Sequence, residues 1–126
     1  MDKVPYDYEA EKGVLGSILL DINSFSKLDL NPGDFYNVRH QILYEFLREF
    51  FISNKEADAI TIQNYLKDKN VLSRVGGSEY LLELMDYLII PNHVQAYQEI
   101  VKEKAWLRDE KKILHKGLET IDKGDS

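Results

Sequence analysis

The feature that most limits how this chain can fold is an uninterrupted stretch near its C-terminal end, from Asn92 to Lys123. The stretch contains no proline, and a helix over it would be about 45 Å long, too long to pack along one small bundle. Apolar residues recur in it every seven positions, which is typical of a helix that packs along a second helix. They are Ile100, Leu107, Leu114 and Ile121, flanked by Trp106 and Leu118. We therefore predict an arm that uses these six residues as an oligomer or partner interface. An ordinary amphipathic helix lying on its own domain is the alternative.

Apolar residues at helical spacing also predict an all-α fold for the rest of the chain, a small multi-helix bundle. From Phe35 to Phe50 they recur every three or four residues, and Pro32 with Asp34 indicates a helix start. We expect residues 1–91 to form a globular helical bundle and residues 92–126 to form the long helix. The predicted core contains Val14, Leu15, Ile18, Phe35, Ile42, Leu43, Phe46, Leu66, Leu81 and Leu84.

The charge of the chain argues for protein partners. Its net charge is −6, and the first 101 residues carry 9 basic and 16 acidic side chains, whereas residues 102–123 carry 7 and 5. Because an acidic domain repels phosphate, we expect any contact with nucleic acid to be weak. No apolar run reaches the roughly 20 residues that a membrane span needs, and there is no cysteine. We expect a cytoplasmic protein with no membrane partner.

No constellation of residues in the sequence points to catalysis. The three histidines, His40, His93 and His115, fall in different elements without a metal-chelating spacing, so we interpret them as surface or packing residues. Neither Gly76-Gly77 nor the pair Gly13 and Gly16 is followed by the Lys-Ser/Thr pair that completes a phosphate-binding loop. The latter pair instead favours close approach of a second helix. We predict no catalytic residue, metal ligand or cofactor site in this chain.

Five segments, taken in order, resemble the N-terminal domain of DnaB-type replicative DNA helicases. Each is a weak signal alone, but their order and spacing from residue 4 to about residue 113 are specific. They begin at Val4 (VPYDYEAEKGVLG), Asn31 (NPGDFY), Ala57 (ADAIT), Val75 (VGGSEYLLEL) and Asn92 (NHVQAYQEIVKEK).

The resemblance implies a module of a hexameric, ATP-driven DNA helicase that serves DNA replication, and not the motor itself. Its expected role is assembly into a collar by self-association through the long helix, together with contacts to other subunits of the hexamer, to the primase and to a helicase loader. ATP and Mg²⁺ would belong to the parent protein and no cofactor to this chain. Residues 92–126 would be the first arm of a helical hairpin that ends at its turn, Gly124-Asp-Ser126, so we expect a fragment of a longer helicase.

Two other interpretations remain open from the sequence. One is a stand-alone helical adaptor, of phage or plasmid type, that binds a replicative helicase or primase. The other, less favoured, is a helical domain that binds single-stranded DNA by stacking bases on some of its eight Tyr and five Phe. If the genomic reading frame continues past Ser126 into a phosphate-binding motif, the helicase interpretation is the correct one.

Overall fold

The computed structural model describes residues 3–53, 56–87 and 93–124, with side chains described as far as Leu114. This part of the chain consists of α-helices and two short 3₁₀ helices joined by turns, and it contains no strand. The α-helices are α1 (Tyr8–Leu20), α2 (Val38–Ser53), α3 (Ala59–Asp68), α4 (Gly77–Asp86) and α5 (Val94–Gly124); the 3₁₀ helices, Ile22–Lys27 and Pro32–Asp34, lie between α1 and α2. The prediction of an all-α fold is confirmed.

Helix α1 is the centre of the bundle. Nine of its 13 residues are buried, and it contacts α2, α4 and α5. The Asp7 carboxylate caps the helix by accepting the N–H of Ala10 at 3.0 Å. The polar Ser17 can be buried because its hydroxyl donates to the Gly13 carbonyl at 2.6 Å.

The buried face of α2 differs from the predicted one. Eight of the ten predicted core residues are buried, but Ile42 and Phe46 are only half-buried. The predicted helix start is also wrong, because Pro32–Asp34 forms its own 3₁₀ turn and α2 begins at Val38. Phe35 is extended (φ −80°, ψ 138°) and enters the core from outside the helix, so it does not set the helical register. The buried face of α2 is His40, Leu43, Tyr44, Leu47 and Phe50.

The first half of α5 belongs to the bundle. Val94, Gln98, Val101 and Ala105 are buried at spacings of four, three and four, which is one helix face, and α5 packs on α1. Residues 88–92 lie outside the described part of the chain, so the predicted boundary after residue 91 stays a prediction. The predicted hairpin turn reaches Ser126 and also lies partly outside the described residues.

Candidate functional site

Helix α5 presents a second apolar side that faces away from the bundle. At 100° per residue, Leu107 and Leu114 lie about 150–170° around the helix from its buried side. Trp106 is 60% exposed, Leu114 65% and Ile100 37%, while Leu107 is half-buried. We call Ile100, Trp106, Leu107 and Leu114 the seam. Leu118 and Ile121, the other two predicted interface residues, lie beyond the last described side chain. One side of the helix thus lies on its own domain, as the alternative interpretation expected, and the other side is exposed; its use as an interface stays a prediction.

Contacts along α5 fix its direction relative to the bundle. The Gln98 side-chain carbonyl accepts the N–H of Asp29 at 2.7 Å, and Lys102 forms an ion pair with the Asp29 carboxylate. The hydrogen bond to Asp29 raises the pKa of Lys102. Further along, the Arg108 guanidinium donates to the carbonyls of Pro5 at 2.9 Å and Asp34 at 2.7 Å. These contacts hold α5 on the bundle as far as Arg108.

Close packing of α5 on α1 depends on a glycine. A Cβ atom on Gly13 would lie 2.8 Å from Cδ2 of Tyr97, closer than such atoms approach. The prediction that this glycine permits close helix approach is thus confirmed for Gly13.

A buried polar cluster joins α1, α2 and α4, and sequence reasoning missed it. Glu11 is 1% exposed and His40 is fully buried, with 2.7 Å between Oε1 of Glu11 and Nδ1 of His40. The other ring nitrogen of His40 lies 2.6 Å from the Tyr80 hydroxyl. The Glu11 carboxylate also accepts the N–H of Tyr36 at 2.8 Å, just before α2. His40 is thus a packing residue with both ring nitrogens bonded, and the cluster locks three helices together.

The signal that could have revealed the cluster is a mismatch of polarity. Glu11 lies within the apolar run of α1, and His40 is three residues before Leu43 on the buried face of α2. A buried carboxylate requires a donor, and a histidine is a suitable one. Burial raises the pKa of the Tyr80 hydroxyl, and the Arg39 guanidinium covers its ring at 4.6 Å. These groups have hydrogen-bond or ring partners within the protein, so the arrangement is structural.

The remaining histidines and the described carboxylates suggest no metal centre. His93 is exposed beside the Tyr97 ring, and the side chain of His115 lies outside the described part. Among the described residues, no three His, Asp or Glu side chains are grouped so that they could hold a metal ion. Within the same residues, no helix combines the length and apolar character needed to cross a membrane.

Comparison with known proteins accounts for this arrangement of helices. The sequence model of one protein family, described as the DnaB-like helicase N terminal domain, matches residues 3–103. The chain belongs to this family. Among solved structures, the crystal structure of the N-terminal domain of DnaB helicase from Mycobacterium tuberculosis is 31% identical, with a TM-score of 0.79. That match covers 98% of this chain and 89% of the other.

Curated relatives place this DnaB-like domain within longer proteins. The replicative DNA helicase DnaB of Mycobacterium leprae is 35% identical over 82% of this chain, and that of Pasteurella multocida is 32% identical over 83%. The matched part is 18% and 23% of those two proteins, so the chain spans about a fifth of their length. A DnaB-like replicative helicase, described together with its interactions with primase, shares the fold at 23% identity and a TM-score of 0.79.

Proposed function

We propose that this domain is an assembly module of a hexameric replicative DNA helicase. In this proposal the seam of α5 joins like domains into a collar, and the collar receives the primase. The observation that carries the proposal is the open apolar side of α5, with Trp106 60% and Leu114 65% exposed beside Ile113 at 63%. Large contiguous apolar surfaces are uncommon on monomeric proteins and often mark binding sites.

The charges of α5 are compatible with pairing of two such helices. Lys102, Arg108 and Lys111 already bind groups of their own domain. The exposed Glu103 and Asp109 can still meet an exposed cation such as Lys112 across a pair, because Lys112 has no such contact within the described part of the chain. Because exposed ion pairs contribute little, burial of apolar area must supply most of the association free energy.

Docking of a primase, and of a helicase loader, is the part of the proposal that rests on family membership. ATP hydrolysis and DNA unwinding would belong to a parent protein, in the part of its sequence that this chain does not match. A collar domain that acts only through contacts agrees with the chemistry of the described side chains. The stand-alone adaptor remains the alternative, and it would use the same seam against a partner helicase.

Sedimentation velocity at rising concentration tests the proposal. We expect the wild type to associate and the double variant Trp106→Asp with Leu114→Asp to stay monomeric. The matched control is Ile60→Asp with Leu82→Asp, which places two aspartates at apolar residues that are 76% and 55% exposed on α3 and α4. The control should associate as the wild type does, and only the seam variant should lose binding to the cognate primase. A seam variant that associates like the wild type would refute the proposal.

A further inference from the structure

A second surface, distinct from the seam, lies where the N-terminal segment crosses α5. It contains a pocket of about 400 Å³. Pockets that hold small ligands or anchoring side chains begin at about this size. The lining combines apolar and aromatic residues with cationic ones. Its main lining residues are Val4, Pro5, Tyr36, Arg108, Lys111 and Lys112.

The three cationic side chains of the pocket form no ion pair with a described carboxylate. Arg108 donates to two carbonyls, and Lys111 donates to the Lys3 carbonyl at 2.7 Å, so both bind uncharged acceptors. Lys112 is exposed. Among the described residues, the side-chain ion pairs involve Lys12, His40 and Lys102, and none of the pocket's three cations. The pocket is therefore a local positive site on a chain of net charge −6.

Tyr36 of the lining belongs to a partly exposed aromatic cluster with Tyr6 and Tyr8, which themselves lie outside the lining. The ring centroids of Tyr6 and Tyr36 are 4.9 Å apart in a stacked arrangement, and Tyr8 lies 4.5 Å from Tyr6. Each of the three tyrosines is between 37% and 46% exposed. The Arg108 guanidinium lies 5.3 Å from the centre of the Tyr36 ring, so a cation lies directly against the aromatic part of the lining. A ligand that fits must combine an apolar group with negative charge.

We propose that this pocket binds an acidic segment of a partner protein. An apolar side chain of the segment packs against Tyr36 and Pro5, and its carboxylates pair with Lys111 and Lys112. A short acidic peptide suits the site better than a nucleic acid strand, because the cations of the lining are three in a single pocket. A strand needs a continuous basic groove, and the acidic remainder of the domain would repel it. This partner site goes beyond the proposed collar function, since neither Trp106 nor Leu114 lines the pocket.

Fluorescence anisotropy with a labelled oligo-aspartate peptide that carries one central phenylalanine tests the proposal on the full chain. We expect saturable binding that weakens at least about tenfold in Lys111→Glu with Lys112→Glu, since two attractive pairs become repulsive. The matched control, Lys27→Glu with Lys67→Glu, makes the same change in net charge at exposed lysines elsewhere. It should change the affinity by less than about twofold. Tyr36→Ala, or alanine for the peptide's phenylalanine, should also weaken binding.

Three results would overturn the proposal. They are absence of saturable peptide binding, an equal loss of affinity in the control variant, and tighter binding of an oligothymidylate than of the peptide. The seam variant Trp106→Asp with Leu114→Asp should bind the peptide as the wild type does. This last comparison separates a failure of the pocket from a failure of the proposed collar function.

Discussion

At the level of single residues, Tyr44 links the stability of the domain to pH. The side chain is 1% exposed, and its hydroxyl donates to the Leu30 carbonyl at 3.0 Å. Burial raises the pKa of Tyr44 to about 12 from 10.0. Because the folded pKa lies above the unfolded one, the stabilisation is complete below pH 10 and is lost as the pH rises towards 12. We predict that the free energy of unfolding falls over this range by at most about 2 kcal/mol from this group.

Urea unfolding followed by circular dichroism between pH 9 and 12 measures this loss. Burial also raises the pKa of Tyr80, so both proteins in the comparison carry Tyr80→Phe. Adding Tyr44→Phe should cost about 1 kcal/mol near pH 8 through the lost hydrogen bond and should flatten the alkaline decline. An unchanged alkaline slope would mean that Tyr44 does not titrate in this range.

Residue types in the sequence predict most of the core but not its polar members. Leu15, Ile18 and Leu43 are buried as their spacing indicates. Glu11 and His40 were not predicted as partners, because their burial depends on a contact across 29 positions of sequence. Periodicity within one helix carries no information about such a pair. Burial of a polar side chain is tolerated only when the folded structure brings a hydrogen-bond partner to it.

At the level of elements, the contact between α1 and α5 depends on the absence of a side chain at Gly13. We predict that Gly13→Ala destabilises the domain by about 1–3 kcal/mol, because the new methyl group meets the Tyr97 ring. Alanine otherwise favours a helix by about 1 kcal/mol, so Gly13→Ala in a Tyr97→Ala background should be neutral or stabilising. Thermal unfolding of the four proteins gives the coupling energy. Gly33→Ala is the control, since nothing lies within 4 Å of its new Cβ. Equal effects at both glycines would exclude the contact as the cause.

The elements also show where sequence patterns reach their limit. The long helix α5 is predicted well, because its 31 residues contain no proline that would end or kink a helix. The start of α2 is predicted badly, because the Asn31 backbone N–H donates to the Asp34 carboxylate at 2.8 Å and stabilises a separate turn. This local hydrogen bond competes with extension of the helix, and the spacing of apolar residues in the sequence gives no indication of it. The side of α5 that meets the bundle likewise follows from the position of Gly13 on another helix.

For the whole molecule, family membership and the open side of α5 support the same role. The domain matches about a fifth of the length of its curated helicase relatives, and its described side chains form a structural core and exposed contact surfaces. The heptad spacing in the sequence predicts a partner along this side of α5; Leu114 and the flanking Trp106 are exposed there, and the partner itself stays a prediction. The pocket at Tyr36 was not predicted, because it combines the N-terminal segment with residues more than 70 positions later.

The most direct test of the account is the accessibility of the seam as the protein concentration rises. The chain has no cysteine, so Leu114→Cys introduces a single thiol, and Ile60→Cys supplies a matched exposed control on α3. We predict that labelling of the Leu114→Cys thiol by a maleimide slows several-fold over the concentration range in which the domain associates. The Ile60→Cys thiol should react at a constant rate. A constant rate at the seam, or an equal slowing at both sites, would contradict assembly through α5.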